Sequence, residues 1–206
     1  HCFSPRLSGD VAVVFGEYAF QTVDKTVESY AYRHRYRIDH YELKSDITWL
    51  SPGTHRLTFG GSVIYYRLNR GMVAPYGETS LRVPVDLGIE DGVETAVYLA
   101  DEITLSPRLT LYGGLRFSAF LALGPARVYE YREGMMKKES NITDTLHFNA
   151  GQLIGSYWSP EPRLALTYLL GSNNSVKFSY NRIRQFLFML SNTIALSPTD
   201  QWKLCD

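Results

Sequence analysis

Cysteine is nearly missing from this sequence: Cys2 and Cys205 stand almost at its two ends, and neither belongs to a Cys-x-x-Cys or other metal-ligand spacing. A disulfide framework and a zinc site are therefore not expected. Long apolar runs are missing too. The longest, such as Val11 to Phe15 and Ala119 to Leu123, reach five residues, far short of the roughly 18 that a membrane helix needs. That excludes helical membrane proteins and leaves barrels open. Neither sign of charge dominates, because 21 Lys and Arg balance 21 Asp and Glu in 206 residues. No net field draws the chain to nucleic acid, and none is expected as a partner. Nucleophile elbow, P-loop and His-Glu-x-x-His patterns are also missing, so no catalytic residue, metal or cofactor is expected. His34 and His40 fall on one face of a strand, but six residues at about 3.3 Å each put them roughly 20 Å apart, too far to share a metal.

Aromatic residues are abundant instead, with Tyr 15, Phe 10 and Trp 3 making 14% of the chain. They sit in a pattern whose period is two rather than 3.6. Leu57, Phe59, Gly61, Val63 and Tyr65 alternate with Thr58, Gly60, Ser62, Ile64 and Tyr66. Val93, Thr95, Val97 and Leu99 alternate with Glu94, Ala96, Tyr98 and Ala100, and Leu109, Leu111, Gly113, Leu115 and Phe117 with Thr110, Tyr112, Gly114, Arg116 and Ser118. The same reading holds around Tyr41 to Trp49, Leu164 to Leu170 and Val176 to Tyr180. Six strands follow, with a seventh near Val11 to Phe20.

The connections between these strands are lopsided. Ser51-Pro52-Gly53-Thr54, Ser106-Pro107-Arg108 and Gly171-Ser172-Asn173-Asn174 are tight turns. Residues 70 to 92, 124 to 162 and 187 to 206 are long connections. Short and long alternate along the chain, which predicts an antiparallel up-and-down meander with every tight turn at one edge and every long loop at the other. Outer-membrane barrels have that layout, with short periplasmic turns and long extracellular loops. One strand face carries a single charge, Asp101, whereas the opposite face carries Lys44, Glu94, Glu102, Arg116, Arg163 and Lys177. The polar face meets bulk water in a soluble sandwich and a wet lumen in a large barrel, and periodicity alone leaves both open. Trp49, Tyr65, Tyr98, Tyr168 and Tyr180 lie on strands, several of them toward strand ends, where an interfacial girdle sits, although Tyr98 alternates onto the lumen side.

The residues Tyr41-Glu42-Leu43-Lys44-Ser45-Asp46-Ile47-Thr48, then His55-Arg56-Leu57-Thr58-Phe59-Gly60-Gly61 and Tyr66-Arg67-Leu68-Asn69, resemble a barrel hairpin of TonB-dependent outer-membrane receptors of the Bacteroidetes type. The resemblance continues, in order, through Thr95 to Ile103, Ser106-Pro107-Arg108-Leu109-Thr110-Leu111, Gly114 to Phe117, Glu161 to Leu166, Ser179-Tyr180-Asn181-Arg182, Leu190 to Thr193 and Pro198 to Trp202. It implies TonB-energised uptake of a scarce nutrient across the bacterial outer membrane. It also implies a partial transmembrane β-barrel, about a third of a plugged barrel of roughly 22 strands. Residues 1–206 then form an internal fragment of the barrel domain, without plug, TonB-contact segment or barrel-closing strand. The implied partners are outer-membrane lipid, the plug of the same receptor, the TonB complex through the missing N-terminal part, and a nutrient ligand.

Under this reading Glu102, Tyr112, Arg116, Arg163 and Lys177 are the lumen-facing candidates, a wall for the plug or the passing solute. The competing role for such charges is a solvated wall of cross-strand pairs. Met135, Met136, Tyr157 and Trp158, in the long connection, are the outer-loop ligand candidates. A hairpin turning at Glu133-Gly134 is the plainer account of that stretch. A soluble all-β ligand- or carbohydrate-binding module is the second hypothesis, carried by zero net charge and Tyr richness.

Overall fold

The computed structural model describes residues 1–171, 173–190 and 201–204. Alternation becomes strand throughout: β1 (Cys2–Ser4), β2 (Leu7–Asp24), β3 (Tyr32–Leu50), β4 (His55–Pro75), β5 (Val85–Asp86), β6 (Ile89–Ser106), β7 (Leu109–Leu123), β8 (Ala126–Tyr131), β9 (Ile142–Phe148), β10 (Leu153–Leu169), β11 (Ser175–Asn181), β12 (Leu187–Leu190) and β13 (Gln201–Leu204). One antiparallel sheet runs β1-β2-β3-β4-β6-β7-β10-β11, with β5 beside β4, while β8-β9 and β12-β13 form separate two-stranded sheets. The up-and-down meander expected from the turns is what the chain adopts. From β2 to β10 along the main path, consecutive strands pair over most of their length, as in the unbroken ladder from Arg37↔Asn69 to Leu50↔Arg56.

The tight turns at 5–6, 51–54 and 107–108 lie at one end of this sheet, where Leu170 N also donates to the Asn174 carbonyl between β10 and β11, and the longer links at 25–31, 76–88 and 124–152 lie at the other. The long link before β10 is shorter than the sequence suggests. Its middle folds as the β8-β9 hairpin, whose turn at Gly134 has φ +73°, and β10 already begins at Leu153. Strands outlast the hydrophobic alternation because a backbone ladder needs no apolar side chain. In Arg33-His34-Arg35-Tyr36-Arg37-Ile38 the odd residues are exposed and the even ones buried, yet the pattern reads as a charged loop. The β4 strand takes up an extra residue opposite Arg35 and Arg37, at Gly71. Its φ of +73° favours glycine, and a Cβ there would collide with the Arg35 carbonyl.

The two sheet faces differ sharply. Val11, Val13, Phe15, Leu43, Phe59, Val63, Val97, Leu99, Leu115, Phe117, Leu164, Leu166 and Phe178 all project from one face and are exposed. The other face holds the buried cluster of Ile38, Ile64, Tyr66, Leu68, Phe120 and Ala122, with Phe186 and Leu204 lying on it. Gly92 makes room for it, since a Cβ there would run into the Phe120 ring. The chain exposes 14294 Å², where a compact monomer of 23.5 kDa exposes about 9,800 Å². An unclosed sheet accounts for the excess.

Candidate functional site

Register places all five lumen-facing candidates on the inner face. Glu102 is opposite Tyr112 across β6 and β7. Tyr112 is opposite Ala165, Arg116 opposite Glu161, and Gly114 opposite Arg163 across β7 and β10. Lys177 is opposite Thr167 on β11. Glu102, Tyr112 and Lys177 share a shallow hollow of about 360 Å³. Tyr112, Arg116 and Arg163 share a second of about 170 Å³. The five residues therefore form one strip of wall, joined by Tyr112.

Farther toward the long-loop end the strip becomes a polar network. The Arg116 guanidinium donates through Nε to Ser118 Oγ at 3.1 Å and through Nη2 to Ser62 Oγ at 3.5 Å. The same Nη2 lies 3.9 Å from Glu94 Oε1. The Tyr66 hydroxyl bonds to Glu94, His40 Nε2 lies 3.3 Å from Glu42 Oε2, and the Tyr98 hydroxyl donates to Asp46. Glu161 is 2% exposed and faces Arg116 in register. One guanidinium thus stands among several carboxylates. Glu90, Asp91 and Glu94 stand close together in the sequence, a spacing that reads as one solvated acidic cluster. The sheet instead sends Glu90 and Glu94 inward and Asp91 outward, and Glu90 meets Arg70 at 3.3 Å and Lys203 at 3.7 Å. Ser159 and Glu161 were not singled out, because their stretch, Ser159-Pro160-Glu161-Pro162, reads as a loop.

Those two prolines shape the wall. The Pro162 carbonyl accepts from Arg182 N at 3.1 Å, so residue 162 directs its backbone toward β11, and residue 160, of the same parity, does likewise. Neither can donate, since proline has no N–H. The β10-β11 ladder accordingly ends at Arg163↔Asn181, and the next residues leave the sheet and cross the inner face. Arg184 Nε reaches Ser159 Oγ at 3.4 Å, and the Phe186 ring stacks on Phe120 at 5.4 Å. The strap from Arg182 to Leu187 thereby covers the apolar part of the inner wall.

The outer-loop candidates are not brought together. Met135 and Met136 are exposed just past the β8-β9 turn. Tyr157 and Trp158, expected in a loop, lie on β10. Tyr157 is opposite Phe120 on the inner face, and Trp158 points outward, stacked on Phe117 at 5.7 Å. A cavity of about 870 Å³ at the long-loop end is lined instead by Arg70, Arg127, Tyr129, His147, Phe148 and Lys203. Among the described residues no three His, Cys, Asp or Glu side chains converge on a point that could hold a metal ion. His34 Nε2 lies 2.8 Å from the Arg70 carbonyl. Cys2 is a free, exposed thiol, whereas Cys205 falls outside the described residues, as do Ser191 to Thr193 and Pro198 to Asp200 of the family-like segments.

Comparison with known proteins gives the same picture. The family described as "TonB dependent receptor-like, beta-barrel" matches residues 6–191. Comparison with curated protein sequences returns no match. Among solved structures, the closed form of the ferric-catecholate import receptor Fiu from Escherichia coli K12 superposes with a TM-score of 0.50 at 12% identity, over 96% of this chain and 33% of that one. Its open form gives 0.45 at 10% identity, over 88% and 33%. The chain thus spans about a third of the length of that solved receptor. At such identity the likeness is one of fold.

Proposed function

Because the chain belongs to the TonB-dependent receptor-like β-barrel family, we propose that residues 1–206 form part of the wall of an outer-membrane receptor that imports a nutrient with energy delivered through TonB. The observation that carries this reading is the apolar outward band. On β3 it runs from Trp49 to Tyr41, nine residues, the length a tilted strand needs to cross a bilayer. Aromatic rings mark its outer edge in a row, Phe15 to Tyr41 at 5.1 Å and Tyr41 to Tyr65 at 6.0 Å. Near the other edge Asp101, the one charge in the band, meets His55 Nδ1 at 2.6 Å. Such a band fits lipid, and the polar wall behind it fits a wet lumen.

In this proposal the tight turns face the periplasm and the β8-β9 hairpin faces outward. Glu102, Tyr112, Arg116, Arg163 and Lys177 line the passage against which a plug domain docks and along which the solute moves. Met135, Met136 and Tyr157 meet the ligand before it enters, while Trp158, pointing away from the lumen, serves the lipid boundary. The plug and the TonB-contact segment belong to other parts of the receptor. The test is uptake: cells carrying the complete receptor accumulate its nutrient, and deleting TonB abolishes that accumulation. Receptor-dependent uptake that continues without TonB overturns the proposal.

A further inference from the structure

The cavity of about 870 Å³ at the long-loop end lies between two stretches of backbone, residues 86–91 on one side and Ala126 to Tyr129 of β8 on the other. Its volume falls within the roughly 300 to 1,000 Å³ of sites that enclose small ligands. Successive side chains of a strand point to opposite faces, so four consecutive lining residues mean that β8 borders the cavity along its edge. That strand pairs with β9 alone, and among the described residues its other edge has no strand partner. The charges around the cavity are unequally committed. Glu90 is held by Arg70 Nη1 at 3.3 Å, Lys203 Nζ at 3.7 Å and Leu204 N at 3.1 Å. Asp86 accepts from Gly88 N at 2.9 Å, and Asp91 bonds to the Tyr65 hydroxyl. Arg127 is different. It is exposed and opposite His147 across the hairpin, and neither side chain has a hydrogen-bond or ion-pair partner among the described residues. The buried Nε of Arg70 also lacks a hydrogen-bond partner among them.

We propose that this cavity binds a short, extended peptide bearing a carboxylate, which adds to the open edge of β8 as a further strand and presents its acid to Arg127. The inference names a substrate class for the receptor and rests on the transport reading above. Two observations select the occupant. A strand edge offers alternating backbone N–H and C=O groups, and an extended peptide is the ligand whose own backbone supplies the complementary row. A compact anion would satisfy Arg127 and leave that edge unpaired. Main-chain pairing is indifferent to sequence, so the preference for acid comes from the guanidinium, which takes a carboxylate through two parallel N–H bonds. The carboxylates of the cavity already have partners, which leaves Arg127 to the ligand. The six residues of β8, Ala126–Tyr131, extend about 20 Å, room for a peptide of up to about six residues. Tyr129, on the same hairpin face as Arg127, gives a neighbouring peptide side chain an aromatic surface.

The experiment uses the complete receptor in detergent and a synthetic pool of hexapeptides, blocked at both ends and randomised at the four central positions, with retained members identified by mass spectrometry. Wild type is expected to retain peptides rich in Asp and Glu. The best-retained member, resynthesised, should bind Arg127→Gln about tenfold more weakly than wild type, with Arg127→Lys falling between the two. Two counterparts of that peptide, N-methylated at its odd or at its even residues, keep the charge and lose alternate backbone donors. One of them should bind wild type at least tenfold more weakly, because only one set faces the β8 edge. A gel migration that changes on boiling shows that each variant is a folded barrel. TonB-dependent uptake of the nutrient by a receptor that retains no peptide overturns the peptide site alone, as does unchanged binding by Arg127→Gln or by both methylated counterparts. Peptide retention beside nutrient uptake that continues without TonB overturns the transport reading and leaves the site standing.

Discussion

Lysine at Val97 is the sharpest perturbation of the outward face. Val97 is 62% exposed and lies in the rung Ser45↔Gly61↔Val97↔Phe117, halfway along the nine-residue band. Four residues separate it from Asp101 at the band's edge, about 13 Å along the strand and roughly 10 Å in depth at a 40° tilt. A lysine stem of about 6 Å cannot carry its ammonium to the headgroups from there. Val97→Lys should therefore cost about 3 kcal/mol, inside the range of roughly 2 to 4 measured for cations at the bilayer midplane. Leu43→Lys, two residues from Tyr41, can snorkel and should cost about 1 kcal/mol. Thr110→Lys, on the inner wall beside Glu102, should cost less than about 0.5 kcal/mol. The assay is reversible urea unfolding of the complete receptor in short-chain phosphatidylcholine vesicles, followed by tryptophan fluorescence. If Thr110→Lys costs as much as Val97→Lys, the assignment of faces is wrong.

Three further expectations follow from the same geometry. Epitope tags inserted at Gly134 should be detected on intact cells, and tags at Gly53 or Asn173 only after the outer membrane is opened; the reverse pattern inverts the strand directions. Replacing Pro160 and Pro162 with valine restores two backbone donors toward β11, so the ladder should lengthen past Asn181, and hydrogen exchange at Ile183 to Gln185 should slow at least tenfold. Unchanged exchange there would mean the strap leaves the sheet for another reason. Residues 1–206 expressed alone should stay in solution only with detergent, because the outward face presents an apolar patch far above the few hundred Å² that soluble monomers carry. A monodisperse, cooperatively melting monomer in plain buffer would favour a two-layer packing instead.

The sequence carried the parts of this fold that obey a period of two. Leu57 to Tyr65 and Leu109 to Phe117 alternate cleanly because one side meets an apolar medium and the other a polar one, and the Pro and Gly turns at 51–54 and 106–108 punctuate them. The outer thirds of the strands were hidden for the converse reason. Above the band the outward face of β3 turns to arginine while its inner face mixes His34, Tyr36 and Ile38, and Gly155 and Ser156 interrupt the start of β10, so Arg33 to Ile38 and Leu153 to Trp158 show no apolar alternation although their backbones remain in the ladder. The site divides the same way. That Glu102, Tyr112, Arg116, Arg163 and Lys177 share a face follows from parity within each strand plus register. That Arg116 looks onto Glu161, or that Ser159 receives Arg184, depends on pairings across distant segments. Pro160 and Pro162 are plain in the sequence, but which edge of β10 they face is decided only by its neighbours. Trp158 reads as part of a loop because its segment shows no apolar alternation, whereas the ladder with β7 places it on β10.

The central claim is that one strand of this wall separates lipid from water residue by residue, and Leu115 and Arg116, adjacent on β7, test it most directly. In the complete receptor with Cys2 and Cys205 changed to serine, single cysteines are placed at the two positions and probed in outer membranes. The account predicts that the cysteine at 116 reacts with a small water-soluble thiol reagent. It predicts that the one at 115 resists that reagent, and that a fluorophore there is quenched by brominated acyl chains. Equal reactivity of the two positions with the water-soluble reagent contradicts it.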